Sequence, residues 1–299
     1  MLILIFLNGL AKAQQDPIYS QYMFNGLAIN PAYAGSKDYA SATMITRMQW
    51  TGMQNAPRSF NFSFHSPTPD RRHGLGFYLY SDKAWVIKNQ VLNGCYAFRI
   101  PIKKATLALG VQGGFTYYHA DLSQVPVQTA GDPAFDGNNV RRLIPNAGAG
   151  IYFHSESVFL GVSTPNFLKG KLYAFELFDL SYAERQNHWY ANAGLILKVG
   201  NSVKCKPSVL LRYVPGVPFT TDINLNFMFA EVLTVGALWR IDNAIGFMAE
   251  FRAGKQLRLG YSYDLSTNAL SGWVGGSHEL RLGYDFRFEK NRMYNPRLF

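Results

Sequence analysis

The residues able to do chemistry are spread thinly along this chain, and their spacing argues against most reactions. Six histidines occur: His65, His73, His119, His154, His188 and His278. None stands at a short metal-ligand spacing from another His or from a Cys, so no metal site is expected. Asp121, Asp132 and Asp136 lack EF-hand spacing and read as part of a solvated loop. A G-x-S-x-G nucleophile elbow is absent, which leaves a Ser and a His meeting across a barrel wall as the one open catalytic arrangement. Gly110, Gly113 and Gly114 fall inside a strand pattern, not in a turn leading into a helix, so they form no phosphate cradle. The expectation is no enzyme activity, no catalytic residue and no cofactor.

Charge is the chemistry present in quantity. The chain carries 29 Lys and Arg against 19 Asp and Glu, a formal net charge of +10. Many of these residues share one face of alternating segments, and they form a candidate charge network: Arg47, Arg58, Arg212, Asp222, Glu250, Arg252, Arg258, Asp264, Glu279 and Arg281. Unpaired charges line a dry interior only at high cost. The space they face must hold water, ion-pair networks or an inserted segment, and Arg47 and Arg58 are expected to pair with the inward acids or with the N-terminal segment. A pI near 9.5 also suits nucleic-acid binding. The secretion signal and the interleaved acids exclude that reading and favour an anionic patch on a partner, or lipopolysaccharide phosphate at a membrane rim.

Such charges need elements that place them on one side. Apolar residues make up 48% of the chain, yet mean hydropathy is only -0.07, so they are distributed among polar ones. No run approaches the ~20 apolar residues of a transmembrane helix. Instead, period-2 segments recur. Leu257, Leu259, Tyr261, Tyr263 and Leu265 oppose Arg258, Gly260, Ser262 and Asp264. Leu280, Leu282, Tyr284, Phe286 and Phe288 oppose Glu279, Arg281, Gly283, Asp285 and Arg287. Phe60, Phe62 and Phe64 oppose Ser59, Asn61, Ser63 and His65.

Counted along the chain, about 14 strands are predicted, an even number of the kind bacterial outer-membrane barrels use. The fold class read from this is all-β: a transmembrane antiparallel β-barrel with its apolar face to lipid and its polar face to the lumen. Connections at 51–58, 81–85, 119–145, 164–187, 214–221, 241–243 and 265–278 fall on the outer side, which gathers all the longest ones. The loops at 119–145 and 164–187, with Pro126 and Pro133 in the first and room for a short helix in the second, are candidate binding loops. Trp50, Trp85, Trp189, Trp239 and Trp273 lie near strand ends and suit an interfacial girdle. Cys95 and Cys205 are expected on opposite faces, as packing residues and not a disulfide.

The N-terminus divides differently. Leu2–Leu10 is a short apolar run, and Ala11-Lys12-Ala13 is an A-x-A cleavage pattern, so residues 1–13 read as a signal peptide. Residues 14–37 are apolar and aromatic without helix or strand period. They are expected to plug the lumen or the periplasmic mouth through Tyr19, Tyr22, Phe24, Asn25, Asn30 and Pro31. The barrel then occupies 38–289 and a periplasmic tail 290–299.

The stretch Asp16–Ser36 also carries a family resemblance, together with Arg47, Gln49, Trp50 and Gly52, Ala56-Pro57-Arg58, Gly74 and Gly76, Asp132-Pro133, Pro145-Asn146, and Asn295-Pro296-Arg297. In this order the motifs resemble the PorP/SprF family, the outer-membrane β-barrels of the type IX secretion system, and in particular its gliding-associated SprF-like members. The resemblance implies an outer-membrane location. It also implies partnership with a large secreted, adhesin-like protein or its type-B C-terminal domain, and contact with type IX secretion or gliding machinery. A porin or small-solute transporter is the alternative reading of the barrel itself.

Overall fold

Strict alternation of apolar and polar residues becomes a ladder of antiparallel strands. The first seven are β1 (Ala40–Met48), β2 (Arg58–Pro67), β3 (His73–Ala84), β4 (Ile87–Ile102), β5 (Ala105–Asp121), β6 (Asn139–Ser155) and β7 (Val158–Asn166). Two short strands, β8 (Lys171–Tyr173) and β9 (Ala183–Glu184), pair only with each other. The remainder are β10 (His188–Leu195), β11 (Leu197–Lys198), β12 (Val203–Tyr213), β13 (Thr220–Phe229), β14 (Leu233–Arg240), β15 (Ala244–Ala253), β16 (Leu257–Ser266) and β17 (Ser277–Phe286). β10 and β11 are one stave interrupted at Ile196, so the wall has 14 staves. This computed structural model describes residues 19–121, 123, 139–168, 171–173, 183–184, 187–269 and 271–287. The expected signal peptide, the start of the plug-like segment, the tail at 290–299, Pro126, Asp132, Pro133, Asp136 and the expected helix around Phe175–Leu180 lie outside these residues.

The sheet closes on itself. β1 pairs with both β2 and β17, and β10 pairs with both β7 and β12. The pairing register, carried strand by strand once around the wall, returns to β1 displaced by 14 residues. A shear equal to the strand number tilts the strands by about 35° from the barrel axis.

The two faces are inverted relative to a water-soluble protein. Leu92 and Phe247 are each 55% exposed on the outside, whereas Asn61, Ser262 and Glu279 are 0% exposed inside. An apolar belt running around the whole wall is compatible with lipid and not with water. The long connections gather at one end, as expected for the outer side, and Trp50, Trp85, Trp189, Trp239 and Trp273 all lie at that end. Cys95 packs inward beside Leu27, while Cys205 stands opposite Leu197 and Phe227 on the outer face; both are free.

Two expectations about the outer end need correction. β3 and β4 join through Trp85 and Val86 alone, so the 81–85 loop contracts to a two-residue hairpin, with Trp85 at φ 51°. β5 and β6 extend to Asp121 and Asn139, and the 119–145 loop is correspondingly shorter. β4, β5 and β6 have 16, 17 and 17 residues against 8 in β14, so this part of the wall stands taller than the rest.

Candidate functional site

The site is assembled from inward-facing strand residues and from residues 19–37. That segment has three single 3-10 turns, Tyr22–Phe24, Gly26–Ala28 and Pro31–Tyr33. Asn30 sets the last of these: its Oδ1 accepts from the Ala32 N–H at 2.9 Å, and Pro31 opens the turn where no N–H is needed. Several of the segment's other polar groups bond to the wall. Asn25 donates to Asn61 Oδ1 at 2.7 Å and accepts from Ser63 Oγ at 2.7 Å. Asn30 Nδ2 donates to the Ile151 carbonyl at 3.0 Å, and Ser63's counterpart on β7, Ser163, donates to the Ile29 carbonyl at 2.6 Å. Asn224 donates to the Tyr22 hydroxyl at 2.5 Å.

Apolar contacts complete the fit. Leu27 and Ala34 join a buried cluster with Tyr78, Tyr80, Val91, Cys95 and Ala97. The Tyr33 ring meets His65 and Tyr152 edge-on, each with centroids 5.4 Å apart. Wall glycines make the close approach possible: a Cβ on Gly110 would overlap the backbone of Ala32, and one on Gly74 the carbonyl of Ala34. Burial pushes the Tyr22 and Tyr33 phenols above their ordinary range, and Asp222 adds to the effect at Tyr22. Burial does the same at Tyr19, reinforced by Asp82 and Glu279.

The wall charges form a paired system that includes the segment. Arg47 Nη1 donates to Glu279 Oε1 at 2.5 Å and to Asp264 Oδ2 at 2.7 Å. Glu279 also accepts the backbone N–H groups of Ser20 at 2.7 Å and Gln21 at 3.0 Å, and Ser20 Oγ donates to Asp264 at 2.5 Å. Arg281 pairs with Glu250, donates Nε to Gln21 Oε1 at 3.2 Å, and lies 4.5 Å from the centre of the Phe24 ring. Asp285 collects Arg258 at 2.6 Å, Ser41 at 2.8 Å and Lys37 at 3.2 Å. Arg240 holds Asp222 through two nitrogens, Nε at 3.0 Å and Nη2 at 2.9 Å. Five cations and five carboxylates are thus matched inside the wall, which is the condition for burying charge without a large penalty.

Of the residues singled out from sequence, all six of the segment meet the wall or order the segment against it. Arg47, Asp222, Glu250, Arg258, Asp264, Glu279 and Arg281 join the paired system. Arg212 faces inward nearer the outer end and donates to Thr220 Oγ1 at 3.3 Å. Arg252 is half-buried opposite Arg258. Arg58 is a correction: it shares the outward face of β2 with Phe60, because Ser59, Asn61 and Ser63 take the inward positions. Arg240 and Asp285, which alternation puts on the polar faces of their strands, and Gln21, in the segment expected to meet the charged wall, also belong to the site. Ser20 and Lys37 belong to it and were missed, because an aperiodic stretch gives no signal for which residue meets which strand.

A closed antiparallel barrel with a lipid-facing apolar belt and paired charges within it defines an integral outer-membrane β-barrel. The family described as type IX secretion system membrane protein PorP/SprF matches residues 11–284, and the chain belongs to that family: it is a type IX secretion outer-membrane barrel. No curated protein sequence matches it. Among solved structures it is similar to the CymD monoaromatic hydrocarbon channel, with TM-score 0.55 and 11% identity over 89% of this chain and 93% of that one. It is also similar to the TodX deltaS2S3 mutant monoaromatic hydrocarbon channel, with TM-score 0.50 and 11% identity over 88% and 94%. The likeness at such identity is one of fold.

Proposed function

We propose that this barrel is a non-enzymatic partner of a large secreted protein, supporting its export or its retention at the cell surface. In this reading the chain is a gliding-associated, SprF-like member of its family, and its cargo is adhesin-like with a type-B C-terminal domain. Residues 19–37 act as a plug, so the barrel works through its rims and loops and not as an open pore. The observation that carries the reading is the dense bonding of the segment to the wall, from Glu279 and Asp264 on one side to Asn61, Ile151 and Ser163 on the other. The CymD and TodX structures are named as hydrocarbon channels, which keeps small-solute transport as the rival reading.

Affinity purification from the native outer membrane, with mass spectrometry of what accompanies the barrel, tests the proposal. A large secreted protein and type IX or gliding components are expected. A barrel that purifies without such a partner, and that conducts small solutes in planar bilayers, overturns it.

A further inference from the structure

A line of basic side chains crosses five neighbouring strands on the outside of the barrel. Arg58 on β2 stands opposite Lys83 on β3, Lys83 opposite Lys88 on β4, Lys88 opposite His119 on β5, and His119 opposite Arg141 on β6. Directly opposed residues of an antiparallel pair share a face, with Cβ atoms about 5 Å apart, so the five form one continuous row. The face is the outward one: Arg58 alternates in step with Phe60, and Arg141 with Leu143, which is 68% exposed.

The row lies just beyond the lipid-facing belt. Two residues down the same strands are Phe60, Tyr117 and Leu143, and two further down are Leu92 and Phe115. Because the strands tilt by about 35°, the row climbs outward by roughly one residue per strand, and Arg141 stands about 10 Å further out than Arg58. That places it in the polar layer above the hydrocarbon, where a long basic side chain can keep its head wet.

Like charges set directly opposite one another destabilise a sheet, and Lys83 faces Lys88. Among the described residues the nearby acids do not balance the row. Asp82 takes the inward position and accepts from Ser59 Oγ at 2.5 Å, and Asp121 alone shares the outward face beside His119 and Arg141. Among the described residues, none of Arg58, Lys83, Lys88 and Arg141 is held in an ion pair. A polyanion would relieve this repulsion. At this height, on a face otherwise wrapped by lipid, the polyanion to hand is a phosphorylated lipid headgroup. A protein partner would first have to displace that lipid.

The geometry points to a binding site for the phosphate groups of lipopolysaccharide along Arg58, Lys83, Lys88, His119 and Arg141. The guanidinium groups at the two ends grip phosphate with paired N–H donors, and the lysines between them act as point charges.

The test uses the full chain purified in detergent, with diphosphoryl lipid A as probe and native mass spectrometry as readout. The variant combining Arg58→Gln, Lys83→Gln, Lys88→Gln and Arg141→Gln is expected to bind at least about tenfold more weakly than the wild type. Lipid A stripped of its phosphates should bind both proteins equally weakly. A Lys103→Gln, Lys104→Gln control in the β4–β5 turn, at the other end of the barrel, should bind like the wild type. Folding is checked by heat-modifiable gel migration. If the quadruple variant fails to fold, the pairs Arg58/Lys83 and Lys88/Arg141 are tested separately, each with an expected loss of about threefold. Undiminished lipid A binding by the folded variants overturns the assignment. So does displacement of lipid A by millimolar inorganic phosphate, which would mark a site for the free ion, or loss of an acidic protein partner while lipid A binding is unchanged.

Discussion

Ser20 and Arg47 meet on a single carboxylate oxygen. The Ser20 N–H reaches Glu279 Oε1 at 2.7 Å and Arg47 Nη1 reaches the same atom at 2.5 Å. One acid on the last strand therefore fixes the first strand and the aperiodic segment that precedes it. With Asp264 shared by the same two partners, this corner joins β1, β16, β17 and the segment into one unit.

Replacing Glu279 with Gln leaves Arg47 with half its compensation and two backbone N–H groups with a weaker acceptor. Loss of a buried ion-pair partner costs several kcal/mol, and about 2–4 kcal/mol is expected here because Asp264 remains. The temperature at which the detergent-solubilised barrel loses its compact gel migration should fall. It should fall further when Arg47→Met is added, since buried Asp264 then loses its own cation. A Glu279→Gln protein as heat-resistant as the wild type contradicts the arrangement.

Gly110→Val separates the segment from the barrel. The added side chain overlaps the Ala32 backbone, while the strand pairing of Gly110 with Ala97 and Gly150 is retained. The barrel should still form, and thermolysin should cut within residues 19–37 about tenfold faster than in the wild type. Unchanged cleavage would show that the segment does not rest there.

Asn25→Ala removes both bonds to β2 and strands buried groups on Asn61 and Ser63, with an expected loss of about 1–3 kcal/mol. Tyr22→Phe removes one acceptor for Asn224 and should cost about 1 kcal/mol. Denaturant midpoints measured side by side check the ranking; a larger loss for Tyr22→Phe would invert it.

Lys37 gives the site a pH dependence. Burial, and after it the neighbouring Arg258, pushes its ammonium from 10.5 down to about 7, with Asp285 acting the other way. Between about 7 and 10.5 the unfolded chain holds this proton and the folded one does not, so this group makes stability rise with pH across the window. Lys37→Met should flatten that rise. Thermal unfolding of both proteins at the two ends of the window is the measurement, and parallel curves would refute it.

Most of the wall could be read directly from the chain because lipid imposes alternation along most strands. Leu280 to Phe286 and Ile245 to Phe251 declare their outward face residue by residue, and the inward positions of Glu279, Arg281 and Glu250 follow from it. Misreadings fell where alternation stops informing. Arg58 begins β2, above the belt, where a charged residue on the lipid-side face meets no hydrocarbon. The Trp85–Val86 hairpin lacks the Asn or Gly that usually marks a two-residue turn. The partners of Ser20 and Gln21 lie more than 240 residues away along the chain, and no local pattern encodes a contact that depends on closing the barrel.

That closure also orders events in time. Arg47 sits on one side of the β1–β17 seam, and Glu279 and Asp264 sit on the other. The segment's anchor at Ser20 and Gln21 lies on β16 and β17, which leave the ribosome long after these residues do. An early part of the chain must wait for a late part before it can settle. Once settled, it ties both flanks of the seam together from within, where no lipid can compete for the bonds, and the barrel keeps its own latch.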